Sequence, residues 1–331
     1  MFWEMAISAP EAPTAALQQL LEKLGHSPSV AAATLTEPHA LLQEARYWGI
    51  PLRRSGDSLS LEYPHAPLSA TEIAYGTGIP ESRIRVLPAC ASTNTELLDN
   101  PGDPGICLAE SQWAGRGRRA RHWSSPFGLH LAMSMAWSQN TRINPALTLV
   151  AGLGVFQVLK NSVKGLWIKW PNDIWVKDRK LGGILLETRR LTQQPLPHET
   201  KFRASPPHGA NLLVLGLGLN VHHDTSLPDS AVSLAQLHVH LSRSQLAGQI
   251  LQRWQADFAR FDRDGLQAFL PLWHDAAAPM MGQIVQISDI DRYYPALVRG
   301  IGTDGRLHVQ ETGKAPVWLS AGEVSLRPIA S

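Results

Sequence analysis

Two spacings of apolar residues run through the chain and divide it into segments. The helical period appears first in ALQQLLEKLG, after Thr14, and in TEPHALLQEARYWG, where Thr36 is placed to cap the helix, Pro38 suits its first turn and Gly49 ends it. It returns after Asn144-Pro145, which open a helix reaching about Lys160, and in the stripe Leu246, Ile250, Trp254, Phe258, Phe261. Strict alternation marks strands. In LHLAMSMAW, Leu129, Leu131, Met133, Met135 and Trp137 share one face, and the smaller His130, Ala132, Ser134 and Ala136 share the other, leaving room for a ligand. In GLGLNV, Gly216, Gly218 and Asn220 fall opposite Leu217, Leu219 and Val221. Short strands also follow from IPLRR and SLSLEY, joined by an SGD turn, and from LWIKW, IWV and LGGILLET, with turns at PND and KDRK. Beyond Pro279 only strands remain: QIVQI, ALVRGI, RLHVQE and PVWLSA, with a turn at Asp304-Gly305.

These elements predict an α+β, multidomain chain. Residues 1–80 resemble a winged helix-turn-helix whose middle helix is abbreviated to about SVAAATL, or else an inert accessory domain. Residues 81–278 form a mixed α/β domain, and residues 279–331 a small β-barrel. The stretch from Arg190 to Gly209, with its four prolines, reads as a mobile excursion between two strands. A net charge of +2 gives no whole-protein attraction to nucleic acid or membrane, so any electrostatic specialisation is local. Cys90 and Cys107, in no ligand spacing, argue against a disulfide framework and a zinc site. Glu4 and Glu11 with no basic n-region do not resemble a secretory signal. The apolar run Ala146 to Leu159 is short of the ~20 residues of a membrane span, so the expected location is the cytoplasm.

Chemistry concentrates in three clusters. The loop QWAGRGRRARHWSSPFG, from Gln112 to Gly128, carries Arg116, Arg118, Arg119 and Arg121 with Gly115 and Gly117 and no acidic residue. Its forked donors and approachable backbone suit phosphate or carboxylate, although a solvated basic loop has the same composition. In KWPNDIWVKDRKLGG, Lys180 precedes Gly182 and Gly183 and either projects over a ligand or sits solvated in a turn. Asp173 there either forms an Asx-turn or orients a lysine or, indirectly, a metal. Gly216 and Gly218 mark close approach by a ligand or by another part of the sheet, and Asn220 ends their face. His222-His223-Asp224 and His238-x-His240 lack further ligands at zinc-like spacing, so no metal is assigned. There is no G-x-S-x-G elbow, Walker loop or dinucleotide fingerprint.

Ser92-Thr93-Asn94, GRGRR before Trp123 and SPFG, KWPND, DRKLGGIL and GLGLN stand in the order found in biotin-protein ligases, and the chain resembles that family over nearly its whole length. The resemblance implies a central biotin/lipoate-ligase-like catalytic domain, an N-terminal winged helix and a C-terminal barrel like the Src-homology-3 fold. It implies attack of biotin's carboxylate on the α-phosphate of ATP, carried with Mg2+, and then capture of biotinyl-AMP by a lysine of biotin carboxyl carrier protein. By the same resemblance Ser92, Thr93, Asn94, Gln112, Arg116, Gly117, Arg118 and Lys180 form the biotin site. Arg118, Arg119, Arg121, Trp123, Lys169, Asn172, Asp173 and Asn220 serve ATP and the adenylate, with Trp123 on the adenine. Arg118 and Lys180 are the catalytic pair, and Gly115, Gly182, Gly183, Gly216 and Gly218 face ligand. The arginine loop is expected to be a lid, mobile without ligand. Ala120 stands where many members have glycine, and His122 where a lysine is common.

Some members also repress the biotin operon by binding operator DNA as dimers. Here residues 1–80 hold four basic and eight acidic side chains, 4 − 8 = −4, and only Arg53 and Arg54 in the wing keep a DNA-facing chemistry. The N-terminal unit is therefore expected to be degenerate. Operator binding is the second reading, a lipoate or octanoate transferase the third, and a homodimer through sheet edges a family expectation.

Overall fold

The computed structural model describes residues 12–101, 105–139, 144–191, 211–288, 292–320 and 323–325. Beyond Leu191 the expected excursion lies outside them, as does the N-terminus through residue 11.

The N-terminal part runs α1 (Ala15–His26), β1 (Val30–Ala31), α2 (Pro38–Tyr47), β2 (Leu52–Ser55) and β3 (Ser58–Leu61). Its strands form a three-stranded sheet in the order β1-β3-β2, and Leu17, Leu20, Leu21, Leu41, Ala45, Ile50 and Leu59 make its core. The SVAAATL segment is a two-residue strand followed by one 3-10 turn, Ala32–Thr34. Thr36 does not cap α2: the cap position falls to Glu37, in a left-handed conformation at φ 52° with no side-chain bond, and Pro38 fixes the first turn.

Next come α3 (Ala70–Ala74), β4 (Ile84–Leu87), α4 (Thr93–Asp99), β5 (Ile106–Ala109), β6 (His130–Gln139), α5 (Leu147–Leu159), β7 (Leu166–Lys169), β8 (Asp173–Val176), β9 (Arg179–Arg190), β10 (Asn211–Asn220), α6 (Arg243–Asp264) and α7 (Leu270–Ala276). They build a seven-stranded sheet in the order β4-β5-β6-β10-β9-β8-β7, in which only β4 and β5 pair in parallel. Lys180 lies within β9, which begins at Arg179, so the expected KDRK turn narrows to Lys177 and Asp178.

The alternation in β6 and β10 assigns the faces. Leu131, Met133, Leu215, Leu217 and Leu219 pack in one core with Ala151 and Val155 of α5 and Leu246, Ile250 and Trp254 of α6. Leu68, Ile73 and Ile79, inside the N-terminal domain expected from sequence, belong to this central core instead, because α3 packs on α6. On the opposite face α4 covers one end, where Leu97 meets Cys107, Leu212 and Val214. Its remainder is lined by glycine and serine, which cannot bury a helix by apolar contact. That uncovered stretch becomes the cavity.

The last strands, β11 (Ile284–Ser288), β12 (Tyr293–Ile301), β13 (Leu307–Gln310), β14 (Val317–Leu319) and β15 (Glu323–Ser325), form an antiparallel sheet in the order β14-β13-β12-β11-β15. Val285, Ile287, Val298, Leu307 and Val309 share a core with Trp167 and Trp170 of the central domain and Trp273 of α7. The expected Asp304-Gly305 turn is present, Gly305 taking φ 82°, and its carbonyl accepts a hydrogen bond from Trp170 Nε1 at 3.0 Å.

Candidate functional site

A cavity of about 440 Å3 opens on the glycine-lined face of the sheet. At one end stand Ser92, Thr93 and Asn94, where the chain enters α4. Thr93 N donates to Gln112 Oε1 at 2.8 Å. Ser134 Oγ, from the small face of β6, lies 2.6 Å from both Thr93 Oγ1 and Asn94 Oδ1. Asn94 Nδ2 donates to Glu187 Oε2 at 2.8 Å, and Glu187 holds Arg116 at 3.0 Å. Gly216 makes this arrangement fit, since a Cβ there would lie 3.0 Å from Asn94 Cγ and closer still to its oxygen.

The arginine loop folds as a hairpin over the cavity. Gln112 N donates to Ser125 O, Trp123 N to Gly115 O at 2.8 Å and Gly117 N to Arg121 O at 2.7 Å. At its tip Arg119 and Ala120 both take φ 56°, the left-handed region that side chains disfavour. Gly115 is required by closure of the hairpin, because a Cβ there would strike the Trp123 carbonyl. The Trp123 ring rests on Gly218, where an added Cβ would lie 2.6 Å from the indole nitrogen. Lys180 Nζ approaches the same ring at 5.6 Å from its centroid.

The third side comes from β7 to β9. Lys180 Nζ is held by Asp173 Oδ1 at 2.8 Å, and Gly183 leaves space beside both side chains. Arg118 reaches across from the hairpin to donate to Asn172 Oδ1 at 3.2 Å, while Asn172 Nδ2 donates to Ile184 O at 2.8 Å. Lys169 lies over the Trp175 ring at 4.1 Å. The peptide bond between Trp170 and Pro171, both in the wall, is cis.

Of the residues picked from sequence, Ser92, Thr93, Asn94, Gln112, Arg116, Gly117, Arg118, Arg121, Trp123, Lys169, Asn172, Asp173, Lys180, Gly183, Gly216 and Gly218 line this one cavity. Four of those picked for ligand contact stand outside its wall. Arg119 is exposed at the hairpin tip, and Gly115 serves the hairpin itself. Gly182 packs against β10, where a Cβ would lie 2.6 Å from Gly218 O, so sheet packing accounts for this glycine. Asn220 is buried and donates to Val232 O at 3.1 Å, its amide spent on an adjoining loop.

Sequence reasoning missed Glu187, Ser134 as a bonding partner, and the wall residues Gln286, Ser288 and Tyr293. Glu187 was within reach, since Gly183, Leu185 and Glu187 alternate onto one face. The three barrel residues carry no local signal. They arrive only because β11 and β12 dock beside the sheet.

Among the described residues the wall carries five cations, Arg116, Arg118, Arg121, Lys169 and Lys180, and one carboxylate, Asp173, with Glu187 pairing Arg116 behind it. Such a charge balance suits a polyanion, and a site that excludes water strengthens each of these interactions. Among the described residues no group of three or more His, Cys, Asp or Glu could hold a metal ion, and no helix is long and apolar enough to cross a membrane.

Residues 86–198 match the Biotin/lipoate A/B protein ligase family. The bifunctional ligase/repressor BirA of Escherichia coli strain K12 is 30% identical over 317 residues, covering 92% of this chain and 92% of that protein. The biotin--[acetyl-CoA-carboxylase] ligase of Mycobacterium tuberculosis is 27% identical over 274 residues, 75% of this chain and 91% of its own. Among solved structures, biotin protein ligase from Aquifex aeolicus in complex with biotin and ATP aligns with a TM-score of 0.58 at 22% identity, over 73% of this chain and 97% of that one, a likeness of fold.

Proposed function

Since the chain belongs to the biotin-protein ligase family, we propose that its cavity joins biotin to ATP and passes the biotinyl group to a lysine of biotin carboxyl carrier protein. The observation that carries this reading is the convergence, in one cavity, of a neutral hydrogen-bonding end at Ser92, Thr93, Asn94 and Gln112 with a cationic end at Arg118, Arg121 and Lys180 beside Trp123. The first suits biotin's ureido ring, and the second suits a carboxylate and a nucleotide phosphate. In the first step a biotin carboxylate oxygen forms a bond to the α-phosphorus of ATP and pyrophosphate leaves. Lys180, fixed by Asp173, and Arg118, fixed by Asn172, oppose the repulsion between the two anions. In the second, the carrier lysine's neutral amine attacks the biotinyl carbonyl, AMP leaves and the amine loses a proton.

Mg2+ enters with the triphosphate as part of the substrate. A single wall carboxylate fits that mode, in which magnesium takes one or two protein carboxylates and completes its shell from phosphates and water. Trp123 is the adenine platform. Asn220 serves only indirectly, through the loop it holds.

The N-terminal unit, ending near Tyr63, is a reduced winged helix, and the C-terminal sheet a barrel of the Src-homology-3 kind. Operator binding is not part of this reading. Arg53 pairs with Glu62 at 3.7 Å and Arg54 Nε donates to Gly56 O, so both wing arginines have local partners, within an acidic domain. A cytoplasmic location belongs to the same reading. The test is transfer of biotin to apo carrier protein, with operator binding and oligomeric state followed in the same preparation. Transfer without DNA binding supports the reading. Biotin-dependent DNA binding restores the repressor, and absence of transfer to a competent acceptor overturns the ligase.

A further inference from the structure

Behind the hairpin, away from the cavity, lies a fully buried polar cluster that the ligase chemistry does not use. Arg243 and Glu110 are each about 2% exposed, His130 is 0% and Asp224 5%. Arg243 is the first residue of α6, the end of a helix that disfavours a cation, so its charge is held there by something stronger. That is Glu110, with Nη1 to Oε2 at 2.7 Å. The other Glu110 oxygen accepts from Leu68 N at 2.6 Å, and Arg243 also donates to Ala66 O at 3.0 Å and to His130 O at 3.3 Å.

His130 carries this brace to the hairpin. Its Nδ1 lies 3.2 Å from the carbonyl of Ser124, the residue after Trp123, and a carbonyl only accepts, so Nδ1 bears the proton. With the proton of the neutral ring on Nδ1, Nε2 has none to give, so Asp224 Oδ2, 3.2 Å away, makes no hydrogen bond with it, while Asp224 Oδ1 accepts from Ser226 N at 2.8 Å. Glu110 O accepts from Gly128 N at 2.9 Å, tying the hairpin's return strand to the same cluster.

We propose that His130, held through its backbone carbonyl by the Arg243–Glu110 pair, is a positioning residue that sets the height of Trp123 over the Gly218 floor and so governs nucleotide binding and retention of the adenylate. No member of the cluster touches the reacting atoms. Its action passes through the Ser124 carbonyl to the adjoining indole. This proposal rests on the ligase reading.

The experiment compares the full-length protein with His130→Ala and His130→Asn, measuring KM for ATP, kcat and the escape rate of biotinyl-adenylate after a single turnover. Asparagine Nδ2 takes the place of imidazole Nδ1 and keeps the bond to Ser124. For His130→Ala, KM for ATP and adenylate escape should each rise about fivefold or more, the factor that goes with one lost hydrogen bond, while kcat at saturating ATP stays within about twofold. His130→Asn should restore both. Values for a folded His130→Ala within about twofold of the unsubstituted protein overturn the proposal, as does failure of asparagine to restore them. If His130→Ala does not fold, His130→Leu, which fills the site without a donor, takes its place with the same expected rise, and an unchanged KM and escape rate overturns the proposal. Failure of the unsubstituted protein to form biotinyl-adenylate would overturn the ligase reading and this inference with it, before any variant is compared.

Discussion

Replacing Gly216 by alanine tests whether the bare floor of the sheet exists to seat Asn94. The new Cβ would lie 3.0 Å from Asn94 Cγ and 3.2 Å from Nδ2, with Oδ1 nearer still, so the carboxamide must retreat. It has little freedom to do so: Oδ1 sits 2.6 Å from Ser134 Oγ, and Nδ2 is bonded to Glu187 at 2.8 Å and Leu185 O at 3.4 Å. Overpacking costs about 1–3 kcal/mol, and one displaced buried hydrogen bond about 1 more, giving roughly 2–4 kcal/mol. At about 2–4 °C per kcal/mol for a domain of this size, the melting temperature should fall by roughly 5–15 °C. Because Asn94 belongs to the proposed biotin end, KM for biotin should rise about tenfold or more, equivalent to ~1.4 kcal/mol, with a smaller change for ATP. Gly218→Ala is the internal control. Its Cβ would meet Trp123 at 2.6 and 2.7 Å and so displace the proposed adenine platform rather than the biotin end, and the variant should weaken ATP more than biotin. Differential scanning calorimetry with steady-state kinetics for each substrate reads both effects. Equal effects of the two variants on both substrates, or a Gly216→Ala protein with unchanged melting and unchanged biotin KM, would refute the reasoning.

Three other outcomes follow from the geometry. Arg118→Gly removes the bridge from the hairpin to Asn172, so the adenylate should escape and biotinylate bystander lysines; mass spectrometry of an added unrelated protein showing unchanged acceptor selectivity would count against this role. Ala120→Gly relieves a left-handed alanine at φ 56°, worth ~0.5–1 kcal/mol after the added freedom of the unfolded glycine, so the melting temperature should rise by about 1–4 °C by calorimetry, and a fall would contradict it. His222, half-buried and stacked 3.6 Å from His65, has its pKa lowered from 6.5 to about 4, first by burial and then by the charges of His65 and Arg243. The folded state therefore resists a proton that the unfolded chain accepts, so this contribution to stability is complete above pH 6.5 and is lost as pH falls from 6.5 towards 4. His222→Gln should flatten the melting temperature against pH across that window, and an identical pH profile would exclude His222 as its source.

The sequence alone determined the faces and the chemistry. Period-two alternation put Gly216 and Gly218 opposite Leu217 and Leu219, because successive strand side chains must point to opposite sides, and the ordered motifs identified the ligase. Glu187 was readable by the same rule from Gly183. Tertiary structure decided what each small residue is for. Four glycines that look alike in sequence have different partners: Gly216 seats Asn94, Gly218 the Trp123 ring, Gly182 a neighbouring strand and Gly115 the hairpin's own carbonyl. Asn220, on the expected face, turns to Val232 once the following loop folds back over it. Gln286, Ser288 and Tyr293 reach the cavity only through docking of the C-terminal strands. Local pattern records which way a side chain points. What it meets there depends on segments as far as 177 residues apart, as where Arg243 of the Arg243–Glu110 pair meets Ala66 O, and only closure of the whole chain brings such segments together.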